Sequence, residues 1–253
     1  MIIHSHPRAV RKAPRGFTLV ELLVVIGILV ILITMLTPTV NAVRTMGKVT
    51  ATKVLLHTLD TGLNMFKGEI RLGRDYPPSW LTGIALPGIV GKVDLYGAQT
   101  LAYALAGPNL TGTPGLRPGL LNTSPTYGPF VDVGKAKLTR PSQFTPSLSW
   151  PTCDFFVFED SFGKPVLYFR ADSGASVPVE IYDWTHNLDI LCSPARIGNI
   201  KPFVEYIRDL RVSTVGSANF TPQNNDSYLL ISAGPDLVYG TADDVTNFTP
   251  NPQ

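Results

Sequence analysis

The sequence predicts an α+β protein. A long N-terminal α-helix spans a membrane with its first half. Its second half packs on a small antiparallel β-sheet head with long loops. Three observations predict this. Residues 17–36 form an apolar run whose single ionisable residue is Glu21. Apolar residues then recur at helical spacing as far as Ile70. Beyond residue 71, short β-prone runs alternate with turns, and the chain carries 22 Gly and 22 Pro.

Residues 1–16 contain Arg8, Arg11, Lys12 and Arg15 and no acid. Such a basic stretch before an apolar run predicts a cytoplasmic N-terminus. Twenty helical residues rise about 30 Å, the thickness of a bilayer's hydrocarbon core. The apolar run is therefore long enough to span. A carboxylate inside it is costly, about 2.5–3.5 kcal/mol at the bilayer centre and less near an interface. Its cheapest partner is an α-amino group created by cleavage between Gly16 and Phe17, one helical turn away. A secretory signal peptide has a shorter apolar core with its cleavage site after it. In this chain the cleavage-like signal precedes the run.

Gly16, Phe17, Thr18, Leu19, Glu21 and Leu22 resemble the processing site and membrane helix of type IV prepilins and pseudopilins. The resemblance implies a cut after Gly16, methylation of the new Phe17 amine by a prepilin peptidase, and use of Glu21 in subunit docking. It also implies the partners: a homopolymer through the N-terminal helices, minor pseudopilins and an inner-membrane assembly platform. The expected location is the inner membrane with the head in the periplasm, then a cell-envelope filament.

Pro38 removes a backbone donor and crowds the preceding turn, so a kink or local melting is expected there. Residues 37–70 then read as an amphipathic helix continuing into the head. Ala42, Met46, Val49, Leu56, Leu59, Leu63, Phe66 and Ile70 form its apolar stripe. Gly47, Gly62 and Gly68 weaken it, each by up to about 1 kcal/mol. Residues 71–253 are expected to form the extracytoplasmic head. Within it, 97–106 reads as a helix and 202–208 as a short one. Strands are expected near 155–158, 164–169, 177–182 and 227–232, with the rest of 79–150 in loops.

Charge limits the partners. Removing the four leader bases changes 21 bases against 19 acids to 17 against 19, net −2. No nucleic-acid partner is expected of such a chain. Cys153 and Cys192 are the only cysteines; they either pair outside the cytoplasm or stay as buried thiols. No Gly-x-Ser-x-Gly, HExxH or P-loop motif occurs, so the expected role is structural and not enzymatic.

No Lys or Arg follows Arg211. Asp236, Asp243 and Asp244 crowd one loop that bends at Gly234 and Gly240, so either a cation sits between them or the turn is simply solvated. Calcium suits such a loop, because it takes six to eight oxygens, carbonyls included. The stretch resembles the calcium loop of the major type II secretion pseudopilin, with Leu237 where a glycine is usual. Residues 160–168 resemble another stretch of that family, with Phe162 replacing a tryptophan. The resemblance favours a pseudopilus subunit of a type II secretion-like system. The alternatives are a type IV pilin in adhesion, motility or DNA uptake, and a membrane-anchored extracytoplasmic enzyme or binding protein.

Overall fold

The computed structural model describes residues 16–86, 91–114, 126–144, 154–188, 197–216 and 220–251. The chain divides into two compact units, residues 1–45 and 46–253. Helix α1, Leu19–Gly68, contributes to both. It is continuous through Pro38, so the expected local melting is not seen. Around it, the Thr34 and Thr37 hydroxyls donate back to the carbonyls of Ile31 and Ile33 at 2.8 and 2.9 Å.

In the first unit the apolar side chains of α1 face outward. Leu22, Ile26, Leu29 and Ile33 are all at least half exposed. Among the described residues, α1 is the one helix long and apolar enough to cross a membrane, with an 18-residue window of mean hydropathy 3.0.

In the second unit, Leu56, Leu59, Leu63 and Phe66 of α1 are buried. The stripe is shorter than its periodicity suggests, because Met46 and Ile70 stay 69% and 62% exposed. Helical spacing marks a face, but only the part opposite other elements is covered. Gly62 is more than a weak point. A Cβ there would sit 2.9 Å from Val131 and 3.0 Å from the Phe130 carbonyl, so its bareness lets that loop approach.

Among the described residues, seven strands follow in three antiparallel sheets. β1 (Trp80–Ala85) pairs with β2 (Lys92–Tyr96), and the register shifts between Leu81 and Ile84. α2 (Gly97–Ala106) is buried along its whole length. β3 (Leu138–Thr139) pairs with β4 (Val157–Phe158). β5 (Leu167–Arg170), β6 (Tyr228–Ser232) and β7 (Val245–Thr246) make the central sheet in the order β5-β6-β7. α3 (Ile200–Tyr206) lies in sequence between β5 and β6.

The central sheet is buried on both faces. Side chains alternate across a strand. Tyr168, Tyr228 and Leu230 join the core that holds Leu59, Leu63 and Tyr103. Phe169, Leu229 and Ile231 join a second core with Phe203, Tyr206 and Tyr239. That is why β6 reads as an unbroken apolar run. Residues 177–182, expected as a strand, instead form a 3-10 turn at Pro178–Glu180 with Pro at its start. Proline lacks the donor a ladder needs.

Candidate functional site

Gly16 and Phe17 precede the helix, and Phe17 is 76% exposed. Glu21 faces back to the helix start. Its Oε2 accepts from the Thr18 N–H at 2.9 Å and from the Thr18 hydroxyl at 2.8 Å. The Thr18 Oγ1 accepts from the Glu21 N–H at 3.2 Å. This is a capping box, in which Thr-x-x-Glu reciprocally satisfies donors at a helix N-terminus. The Thr-Leu-Val-Glu spelling carries that signal in the sequence. The carboxylate thus bonds to Thr18, the residue after Phe17.

The acidic loop is built from the residues upward by turns. Gly234 has φ +61° and Leu237 has φ +64°, both left-handed. Asp236 Oδ1 accepts from the Val238 N–H at 2.8 Å, and the Asp236 N–H donates to Asp243 Oδ2 at 2.9 Å. The Thr241 hydroxyl donates to Asp243 Oδ1 at 2.5 Å. Asp244 Oδ2 accepts from the Tyr206 hydroxyl at 2.5 Å and the Gly240 N–H at 2.7 Å. Burial pushes the Asp244 carboxyl up to about 6, against the lowering effect of those two hydrogen bonds. Hard oxygen donors of this kind suit calcium in their chemistry. In placement, each carboxylate is taken up by the loop's own donors, joined at Asp244 by the Tyr206 hydroxyl. Among the described residues no three His, Cys, Asp or Glu come together to hold a metal. Cys153 and Cys192 lie outside the described residues.

A third place was not legible in the sequence. Asn187 is fully buried at the end of the 3-10 turn Trp184–Asn187. Its Oδ1 accepts from the Ala98 N–H at 2.9 Å, and its Nδ2 donates to the Tyr168 carbonyl at 2.8 Å. It thereby satisfies a donor at the α2 N-terminus, where Tyr96 offers no side-chain cap. Gly97, at φ +41°, admits this contact, since a Cβ there would lie 2.0 Å from Asn187 Oδ1. The anchored turn sets His186 with Nδ1 3.0 Å from the Ser79 hydroxyl and Nε2 3.3 Å from Asp183 Oδ2. Burial lowers the imidazole's affinity for a proton, with Asp183 opposing. In the sequence His186 stands isolated, because Ser79 is 107 residues away.

Residues 11–37 match the family model described as the prokaryotic N-terminal methylation motif. The N-terminal segment is therefore a type IV pilin-like signal. In general, such a motif goes with membrane anchoring, processing by a prepilin peptidase and polymerisation. No curated protein and no solved structure matches the chain.

Proposed function

We propose that this chain is a pseudopilin, a structural subunit of a type II secretion-like pseudopilus. One observation carries the reading. The methylation motif at 11–37 runs straight into a helix with an exposed apolar surface, and Glu21 stands at its start. Exposed apolar area on this scale calls for lipid or another subunit as its cover. In the proposal, residues 1–16 are a leader removed after Gly16. Residues 17–36 pass from the inner membrane into the filament core, residues 37–70 carry the helix into the head, and the head lies in the periplasm.

N-terminal sequencing and mass analysis of protein from native membranes test the processing. The expected N-terminus is N-methylated Phe17. Gly16→Asp should leave the leader attached to essentially all of the protein and abolish filaments. Recovery of intact Met1 from the wild type, or of a cut beyond Leu36, overturns the reading. Immunogold microscopy separates the alternatives. Short filaments confined to the envelope support a pseudopilus, and long surface fibres support a type IV pilin.

Calcium at Asp236, Asp243 and Asp244 belongs to the same proposal, supported by the oxygen donor set and the absence of a basic residue after Arg211. A ligand of the folded state adds about 2.7 kcal/mol at a hundred times Kd. For a unit of this size that raises Tm by about 5–10 °C. Melting the detergent-solubilised chain with calcium and with chelator should show that rise. Changing Asp243 and Asp244 together to Ala should remove it. Identical melting in both conditions, with no heat of binding at millimolar calcium, excludes calcium and shifts the balance toward a generic pilin.

A further inference from the structure

Beside His186 lies an open cavity of about 400 Å³. That volume falls within the roughly 300–1,000 Å³ of ligand pockets. Pro78, Trp80, Arg170, Glu180, Asp183 and His186 are among the residues that line it. Trp80 opens β1, and its cross-strand partner is Tyr96. The two rings stack with centroids 6.4 Å apart and planes 9° apart, yet Trp80 stays 50% exposed. A large apolar ring held in place and left half in water is a platform.

The polar groups around it are mixed in sign and held. Arg170 is ion-paired with Asp75, and its N–H donates to the Ser79 hydroxyl at 3.3 Å. His186 is held by Ser79 and Asp183, as described. The Asp172 N–H donates to the Ile181 carbonyl at 2.7 Å, which ties two of the lining stretches together. Glu180 is exposed, and among the described residues its carboxylate has no hydrogen bond or ion pair. The indole N–H of Trp80 likewise has no acceptor there.

Each simple ligand class meets an obstacle. An anion meets Asp172, Glu180 and Asp183. A cation meets Arg170 within the same small space. A wholly apolar ligand would strip water from these charges. A neutral polyhydroxylated ring meets none of these. Its C–H face lies on the indole, and its hydroxyls donate to carboxylates and accept from the guanidinium. We propose that this cavity is a saccharide-binding site, taking one pyranose ring of a neutral oligosaccharide against Trp80. The held walls reduce the ordering cost of binding. The site is independent of the kind of filament the N-terminal helix builds.

The test uses the full-length chain, solubilised in a detergent without a sugar headgroup. It is titrated calorimetrically with tetrasaccharides of glucose, galactose, mannose and N-acetylglucosamine, and separately with a tetra-arginine peptide. Saturable binding of at least one tetrasaccharide at millimolar concentration is expected. Trp80→Ala and Glu180→Gln should each weaken it by about tenfold. Both positions are exposed enough for the fold to survive, and an unchanged Tm checks this. Absence of saturable binding by all four sugars overturns the proposal. So does sugar binding unchanged in both variants, or binding of the peptide alone.

Discussion

Glu21→Leu and Glu21→Gln are expected to enter the membrane at least as well as the wild type and to form almost no filament. Insertion improves because each change removes a carboxylate that costs about 1–3 kcal/mol near the edge of an apolar span. Assembly fails for a different reason. In the proposed filament, Glu21 meets the Phe17 amine of a neighbouring subunit within apolar surroundings. Breaking such a pair leaves an uncompensated charge, at a cost of about 3–5 kcal/mol. That is at least about a hundredfold in subunit affinity. The two variants also separate two roles. The carboxylate caps the Thr18 N–H, and glutamine at this position of a capping box retains much of a cap. Loss of a cap alone costs about 1 kcal/mol. Subunit yield by pelleting and immunoblotting decides. If Glu21→Gln assembles normally while Glu21→Leu does not, the cap is what matters. If both assemble normally, the docking role is wrong.

Local chemistry was legible where local chemistry decides. The helix at 97–106 and the strand at 228–232 stand within a residue of where their composition places them. The hairpin β1–β2 was missed because its pattern is interrupted. Gly83 sits at φ +68°, the register slips between Leu81 and Ile84, and alternation over so short a span is broken. Residues 177–182 failed in the opposite direction. Val, Ile and Tyr suggested a strand, but Pro178 starts a 3-10 turn. The Trp80–His186 cavity was invisible because its walls come from three separated stretches joined only by folding. The acidic loop is the intermediate case. Its carboxylates and most of their donors were plain in the sequence, while one donor, the Tyr206 hydroxyl, comes from elsewhere.

That loop carries the sharpest stability test, and its outcome does not depend on a cation. Gly234 and Leu237 both hold left-handed backbone, three residues apart. At Gly234 a Cβ would lie 2.1 Å from the Asp243 carbonyl oxygen and 2.7 Å from its carbon. Those are backbone atoms of the neighbouring strand of the loop, so no side-chain rotation relieves the overlap. Gly234→Ala is therefore expected to destabilise the head by about 3 kcal/mol or more. That corresponds to a fall in Tm of about 6–12 °C. Leu237 is the reverse case, a bulky residue already bearing the left-handed cost of about 1–2 kcal/mol. Leu237→Gly removes that strain, against about 0.5–1 kcal/mol of added chain entropy and the loss of a side chain that is 39% exposed. The expected change is small, within about 2 °C of the wild type. Thermal melting of both variants in chelator gives the answer. A tolerated Gly234→Ala would mean that Asp243 does not close on Gly234. A fall of about 5 °C or more in Leu237→Gly would mean that the leucine side chain anchors the loop more strongly than its backbone strains it.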